Sequence, residues 1–328
     1  MIKNGLEISI DQKKSILNVR VMLLIADAPA IAKVLNMNQY NGWFGCVKCL
    51  HPTDSLYKFK KSNQNESKGR RNRRIYSYTN KFALRTNSDY KRALQISKSQ
   101  KKTFQGVKGP CWISKFLSIP EDVYLDPMHT CFLGPAEDLL SMWCKNATKE
   151  KKQPGFSDNK KRSKKISLKN EFYLNPSMKK ILDDSVVKIK YPNEIKRHQR
   201  TISDNLGDMK ANEFRNTLFY QAPIIRKVQK SNIFKHFAAY VTAMRLMCQS
   251  RISKADLHDA YILIDYFVKR YSTLYGRKKM NWKIHAHLHL PYQALFFGSL
   301  ILITTFAFEC NLIKFKNQKI FVICVFRN

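Results

Sequence analysis

The sequence predicts a mixed α/β fold with a mainly helical, basic middle, and three observations lead to this prediction. A β-branched and aliphatic run at residues 18–26 is typical of a buried strand. Apolar residues recur with helical spacing in several segments after residue 179. Two segments rich in lysine and arginine interrupt the chain and are typical of exposed linkers.

The chain is strongly basic, with 59 Lys and Arg against 24 Asp and Glu and a formal net charge of +35 over 328 residues. This length corresponds to about two domains of roughly 100–200 residues each. Hydrophobic residues make up 44% of the chain, which is enough for a packed core and excludes wholesale disorder. The charge argues against an ordinary metabolic enzyme, because such a surplus repels itself unless a polyanion screens it. We therefore expect a nucleic-acid partner.

The first element, the buried strand at residues 18–26, ends at Asp27. A short helix is predicted over residues 30–35, after Pro29. The following residues 38–52 are rich in glycine, asparagine and proline and include Cys46 and Cys49. We call this segment the knuckle, because its composition predicts a tight loop rather than a helix or strand.

Further along, a turn is predicted at residues 106–110, and an amphipathic helix over residues 133–143 that begins after Gly134 and Pro135. Three more helices are predicted over residues 211–220, 234–248 and 253–274. Ser253 is the expected N-cap of the last one. Its predicted apolar stripe consists of Leu257, Ala260, Tyr261, Ile264, Phe267 and Val268.

The two basic segments cover residues 58–74 and 145–169. The first contains eight Lys or Arg and one acid, and the second nine Lys, one Arg and two acids. Such runs can bind phosphate, serve as nuclear-localisation signals, or be solvated loops. The candidate nucleic-acid contacts are Arg70, Arg71, Arg73, Arg74, Lys160, Lys161, Arg162, Lys164 and Lys165.

No segment of the sequence predicts a membrane span. The apolar run at residues 294–308 has fifteen residues, short of the ~20 that a helix needs to cross a bilayer. The eight cysteines are scattered, and only Cys46 and Cys49 have the short spacing of metal ligands. This pattern indicates mostly free thiols in a reducing compartment.

Cysteine and histidine pairs at opposite ends of the chain are candidate zinc ligands. Cys46 and Cys49 have the spacing that lets two thiolates reach one Zn²⁺. On a helix, His285 and His289 share one face, whereas His287 points elsewhere. The alternative is that these are ordinary core or surface histidines and two free cysteines.

Three acids stand out by their context. Asp27 ends the buried strand, Asp126 opens the run Asp126-Pro127-Met128-His129, and Glu309 lies in an apolar segment. A carboxylate in apolar sequence is costly unless it is paired or bound to a metal. Carboxylates on neighbouring elements could hold the metal ions of phosphoryl transfer. Each could equally be a helix cap or an exposed chain end.

Several short strings in this chain, taken in order, resemble those of transposases of the CACTA (En/Spm) group and their animal relatives. The resemblance covers roughly residues 5–315. The strings are Asp27-Ala28-Pro29-Ala30, Asn41-Gly42, Cys46-Val47-Lys48-Cys49-Leu50-His51-Pro52, Arg85-Thr86, Gly106-Val107-Lys108-Gly109, Asp126-Pro127-Met128-His129, Lys210-Ala211-Asn212-Glu213-Phe214-Arg215, Leu274-Tyr275-Gly276, His285 with His289, and Phe308-Glu309.

The resemblance implies a DDE/D transposase with an RNase H-like core that a large helical insertion interrupts before the final Glu. By this resemblance Asp27 matches the second catalytic Asp and Glu309 the final Glu, with Asp126 and His129 in a supporting role. The implied zinc ligands are Cys46, Cys49, His285 and His289, and an intact ancestor would use Mg²⁺ or Mn²⁺. The vertebrate immune recombinase of the same wider class also joins a Cys pair to a downstream His pair.

The chain departs from the family pattern at its start, where the resemblance would place the first catalytic Asp. Asp11 is the only Asp before Asp27, and its sequence setting does not match. We therefore expect an incomplete RNase H-like core (residues 1–30), a knuckle, linkers and helical insertion (31–280), a closing segment (281–313) and a divergent tail (314–328).

The expected function is that of a transposase-derived, nuclear, DNA-binding protein that is catalytically incomplete and that can form homo-oligomers. Ancestrally, it would cleave DNA and transfer strands. Two alternatives stay open. One is a domesticated, non-enzymatic DNA- or chromatin-binding protein with structural zinc, and the other is a non-functional fragment.

Overall fold

The fold is built around one long strand that separates two hydrophobic clusters. The computed structural model describes residues 6–10, 13–56, 74–79, 83–145, 172–193, 195, 199–306 and 320–327, with side chains from residue 23 to residue 306 of these ranges. The described part is mixed α/β and mostly helical, which confirms the predicted class.

The helices and strands are β1 (Leu6–Ile10), β2 (Lys13–Ala26), α1 (Ala28–Val34), β3 (Asp54–Ser55), β4 (Arg74–Ile75), α2 (Asn87–Gln100), β5 (Val123–Leu125), α3 (Glu137–Cys144), α4 (Pro176–Val186), α5 (Ile202–Asn205), α6 (Ala211–Tyr220), α7 (Ala222–Val228), α8 (Ser231–Met247), α9 (Lys254–Tyr275), α10 (Trp282–Ala286), α11 (Leu290–Phe297) and β6 (Ile320–Arg327). Short 3₁₀ turns cover Trp112–Lys115, Arg277–Lys279 and His287–His289.

Strand β2 pairs with three other strands. β1 runs antiparallel to its first half, with Leu6 opposite Leu17. β5 runs parallel to its last three residues, and Ala26 pairs with Leu125. Asp27 and Asp126 come directly after these paired residues, so both lie at the edge of the sheet where the two parallel strands end. In open α/β sheets this edge is where ligands usually bind.

β6 runs antiparallel to β2, with Ala26 opposite Ile320 and Asn18 opposite Arg327. This segment belongs to the tail that the sequence analysis treated as divergent. The structure instead places residues 320–327 in the sheet. Their β-branched and aromatic composition explains the pairing, since such residues fit a pleated surface.

Alternate residues of β2 belong to the two clusters, as expected for a strand whose side chains point to opposite faces. Leu23 and Ile25 pack in the larger cluster with the helices α3 to α9. Leu24 and Ala26 pack in the smaller one, together with α1, the knuckle and α2. Residues of both clusters are almost completely excluded from solvent.

The helical layer follows the sequence prediction closely, and α6 has the predicted bounds 211–220. α9 begins at the predicted cap, where the Ser253 side chain accepts a hydrogen bond from the backbone of Asp256. Ala260, Ile264 and Phe267 are buried. Val268 is buried and Leu257 partly buried, as predicted, but Tyr261 is 47% exposed, and the buried stripe continues to residues 271 and 275.

The helix predicted over residues 133–143 begins after Gly134 and Pro135, as expected. Met128–Ala136 forms a wide π-type turn with non-helical backbone at Leu133 and Gly134. The regular helix α3 starts at Glu137. The proline at position 135 removes a backbone donor, which is consistent with a helix that starts only after it.

Truncating Ile25 to alanine tests how much the packing of β2 in the larger hydrophobic cluster contributes to stability. We expect Ile25→Ala to lower the free energy of unfolding by about 2–5 kcal/mol, because it opens a cavity in a fully buried position. Chemical denaturation measures the loss. Ile262→Ala is the matched control, since Ile262 is 51% exposed on α9 and its truncation should cost less than about 0.5 kcal/mol. Equal losses in the two variants would contradict this account of the core.

Candidate metal centre

Four side chains from the two ends of the described chain meet in one buried cluster. The Cys46 sulfur lies 3.4 Å from Nε2 of His289, and the Cys49 sulfur lies 3.2 Å from Nε2 of His285. The two imidazole nitrogens are 3.3 Å apart. All four ligand atoms lie within 4.8 Å of one another, and all four residues are buried. These are the four residues that the sequence analysis named as metal ligands.

The knuckle holds the two cysteines through close backbone packing. A β-carbon at Gly45 would lie 2.3 Å from the carbonyl oxygen of Gln39, so only glycine fits there. Cys49 forms an isolated bridge with Leu84, and the backbone N–H of Arg85 donates to the carbonyl of Lys48. The segment around residue 85 therefore holds the backbone of the knuckle at Lys48 and Cys49.

Arg85 is a buried cation beside the two cysteines. Its guanidinium donates to the carbonyl oxygens of Cys46 and Gln105, at 3.5 and 2.9 Å. Burial lowers the pKa of Arg85, although the cysteines favour its charged form. Arg85-Thr86 is one of the strings that carry the family resemblance, but its sequence alone does not show that Arg85 is buried. A buried arginine needs acceptors, and these come from the knuckle at Cys46 and from the loop at Gln105.

The two histidines lie one turn apart on consecutive helical segments. Asn281 caps α10, with its side chain accepting from the backbone of Ile284, and α10 continues into the 3₁₀ turn His287–His289. His285 and His289 face the cysteines. His287 points away, with its Nε2 3.1 Å from the Tyr240 hydroxyl. The structure confirms the predicted division of the three histidines.

Two ring side chains, Tyr76 and His51, pack against the candidate ligand His285. Tyr76 stacks on it at 4.5 Å between ring centroids, and His51 meets it edge-on at 5.1 Å. His51 is held in turn by the backbone N–H of Thr53 and the carbonyl of Ser77. Tyr76 follows a basic run, where an aromatic ring would allow base stacking, but it is 1% exposed and packs on His285 instead.

The electrostatics of the cluster suit a metal ion. Burial lowers the pKa of His285 to about 4, so its imidazole is neutral near pH 7 and has a lone pair to donate. Burial raises the pKa of the Cys46 thiol, but hydrogen bonding with Cys49 and the charge of His289 outweigh this, and the pKa falls well below its usual value. Burial and the neighbouring Cys46 raise the pKa of Cys49, so Cys46 is the first of the two thiols to lose its proton.

Two sulfur and two imidazole ligands form the donor set of tetrahedral structural zinc sites, with all four positions filled by protein. The cluster can therefore hold a metal such as zinc. Because every ligand comes from the protein, such a site would stabilise the fold rather than activate water.

The structure places Asp27 at the end of β2 as predicted, and there it caps α1. Its carboxylate oxygen Oδ1 accepts a hydrogen bond of 2.7 Å from the backbone of Ala30. This was one of the alternatives that the sequence left open. Glu309 lies outside the described residues, so the pairing of Asp27 with Glu309 stays a prediction.

Asp126 is buried and lies at the centre of a hydrogen-bond network. It accepts from the backbone N–H and Nδ1 of His129, the latter at 2.6 Å. It also accepts from the hydroxyl of Thr304 and from the backbone and hydroxyl of Thr305. Burial raises the pKa of Asp126, but the bonds from His129 and Thr305 outweigh it and the pKa lies below its usual value. Asp126 thus joins β5 to the segment that leads toward Glu309.

Of the predicted nucleic-acid contacts, Arg74 alone lies in the described part of the chain. Its guanidinium carbon sits 3.3 Å from the centre of the Trp43 ring, and its Nε donates to the Thr53 hydroxyl. The others lie outside the described residues; they are Arg70, Arg71, Arg73, Lys160, Lys161, Arg162, Lys164 and Lys165.

No family model, curated protein or solved structure matches this chain. Among the helices of the described residues, none combines the length and apolar character that crossing a membrane requires.

Replacing one ligand from either end of the chain tests the centre. We expect about one zinc per purified wild-type chain, and almost none in Cys46→Ser or His289→Ala, because each change removes one of four ligands. Losing the metal should cost several kcal/mol and lower the melting temperature by roughly 10 °C. Metal analysis and thermal unfolding give the two readouts.

His287→Gln is the control for that experiment. It lies between the two histidine ligands but faces Tyr240, so its zinc content should match that of the wild type. Zinc retained in Cys46→Ser, or lost equally in His287→Gln, would show that the cluster is not the binding site.

Replacing Asp126 tests the network at the end of β5. We expect Asp126→Asn to lower the free energy of unfolding by about 1.5–3 kcal/mol at pH 7, because charge-assisted hydrogen bonds are lost. The folded-state pKa lies below the unfolded value of about 3.9, so this stabilisation is complete above the unfolded value and disappears as the pH falls through the folded one. Denaturation at several pH values measures it. The exposed Asp259→Asn is the control, and a difference that grows toward acid pH would contradict the assignment.

Proposed function

We propose that this chain is a transposase-derived DNA-binding protein in which a structural zinc ion joins the two ends of an RNase H-like core. The observation that carries the proposal is the cluster of Cys46, Cys49, His285 and His289. The family resemblance implied these four ligands before any geometry was known. Their meeting across more than two hundred residues supports that resemblance as a description of this chain.

The sheet gives a second line of support. A hairpin of β1 and β2, a parallel partner β5 and an acid after each parallel strand agree with part of an RNase H-like core. The large, mainly helical segment between β5 and α10 has the place that the family gives to its insertion. In this proposal Asp27 and Glu309 correspond to catalytic carboxylates, and Asp126 with His129 supports them.

The net charge of the chain indicates the class of partner. A net charge of +35 favours a polyanion, and a protein descended from a transposase would meet DNA in the nucleus. In an active relative, Mg²⁺ or Mn²⁺ would be held by the carboxylates at the sheet edge.

A second candidate is a domesticated, non-enzymatic binding protein, and the hydrogen bond from Ala30 to Asp27 favours it. A carboxylate that caps a helix has a structural role of its own. Such a role would preserve Asp27 even without catalysis.

DNA affinity as a function of salt tests the proposal. We expect the purified, zinc-loaded chain to bind a 30-base-pair duplex, with affinity that falls steeply between about 50 and 200 mM salt, because bound counterions are released when basic residues neutralise phosphates. Fluorescence anisotropy measures the slope. Binding that is absent at 50 mM salt would contradict the proposal.

The same preparation, incubated with Mn²⁺ and a nicked or blunt duplex, separates the two candidates. Cleavage that disappears in Asp27→Asn, with DNA affinity unchanged, would favour the enzyme. Binding without cleavage would favour the non-enzymatic protein. Cys46→Ser shows whether either activity depends on the zinc site.

A further inference from the structure

An exposed tryptophan in the knuckle carries an arginine on its face. Trp43 is 56% exposed, although it lies three residues before the buried Cys46. The guanidinium carbon of Arg74 is 3.3 Å from the centre of its ring. An exposed aromatic ring with a cation on one face offers a ligand both a surface for stacking and a positive charge.

Arg74 is fixed in this position rather than free to turn. Its Nε donates to the Thr53 hydroxyl at 2.6 Å and its terminal nitrogen to the Thr53 carbonyl at 3.3 Å. Arg74 begins β4, which pairs with β3 at Asp54 and Ser55. Thr53 and the paired strands β3 and β4 therefore hold the Arg74 guanidinium on the Trp43 ring, and this arrangement is formed before any partner binds.

Three more cations lie beside the paired strands β3 and β4. The turn Arg277–Lys279 links α9 to α10, and all three of its residues are exposed. The guanidinium of Arg277 is 3.9 Å from the Asp54 carboxylate, and the backbone N–H of Tyr76 donates to the carbonyl of Met280. These two contacts hold the basic turn against the strand pair that carries Arg74.

We propose that Trp43, Arg74 and the turn Arg277–Lys279 form a surface that binds unpaired nucleotides. We call it the stacking surface. It rests on the proposed function, since it says where and how that DNA is held. Exposed aromatic rings stack on bases of any sequence, while neighbouring cations contact the phosphates. Asp54 is the one acid in contact with these cations among the described residues.

The composition of the surface selects this partner over others. A duplex held only by its phosphates requires cations but gives no reason for an exposed indole ring. A membrane-binding surface would place several apolar side chains together, and here the cation Arg74 lies on the Trp43 ring. Unpaired bases use the ring and the cations at the same time.

Intrinsic fluorescence gives a direct test, because the chain has four tryptophans of which Trp143 and Trp282 are buried. We expect a 20-nucleotide single strand to quench the wild-type emission when it stacks on Trp43. Trp43→Leu should remove most of the quenching and weaken binding roughly tenfold. Trp112→Leu is the matched control, since Trp112 is 61% exposed on a separate turn, and it should behave as the wild type.

The basic turn is tested with a triple variant, Arg277→Gln, Lys278→Gln and Lys279→Gln. We expect weaker binding of the single strand and a salt slope that is smaller by about 1–2. The control replaces Lys91, Arg92 and Lys98 on α2 with Gln. It removes the same number of exposed arginines and lysines, so any difference reports position rather than net charge.

The outcomes separate this inference from the proposed function. Failure of the wild type to bind any DNA would contradict the proposed function. Binding with quenching that survives in Trp43→Leu, a duplex that quenches as strongly as the single strand, or equal losses in the two triple variants would overturn the stacking surface alone. Zinc content close to that of the wild type shows that Trp43→Leu is folded. If Trp43→Leu does not fold, Arg74→Gln is used instead, because it keeps the Trp43 ring and should still weaken binding of the single strand.

Discussion

The contact between the knuckle and the helical segment that carries His285 and His289 is the constraint on which the rest of the structure depends. Cys46 and His289 are separated by 243 residues, and Cys49 and His285 by 236. Closing a loop of this length costs an unfolded chain about 5 kcal/mol of entropy. Two thiols and two imidazoles are costly to bury, and a metal held by all four would offset that cost, so metal binding in this cluster would also be folding energy.

Helix α10 transmits this constraint through the whole fold. Ile284 packs in the larger hydrophobic cluster, whereas Trp282 and Ala286 pack in the smaller one. On the far side of the ligands, His287 meets Tyr240, whose ring stacks on Phe267 at 4.6 Å. The helix that offers the ligands is thus held from both sides. A metal site supported in this way keeps its geometry because its neighbours leave no room for other rotamers.

What the sequence could predict depended on whether the signal was local. The Ser253 cap, the bounds of α6 and the spacing within each ligand pair, Cys46–Cys49 and His285–His289, are signals that lie within a few residues. β5 has three residues and carries no periodicity of its own, so its pairing with β2 arises only in the folded sheet. The contacts of Asp126 with Thr304 and Thr305 span almost 180 residues and have no local signature.

The distribution of acids makes the surface more basic than the composition indicates. Glu213 is buried in a two-bonded ion pair with Arg200, and Asp183 accepts from the backbone of Ile202 at the start of α5. Asp126 is likewise turned inward. Asp183 and Asp126 face the folded core, and Glu213 neutralises its partner Arg200, so these carboxylates do not offset the other exposed lysines and arginines. Since uncompensated surface charge repels itself, a polyanion that binds only the folded chain would also stabilise it, and binding and stability become linked.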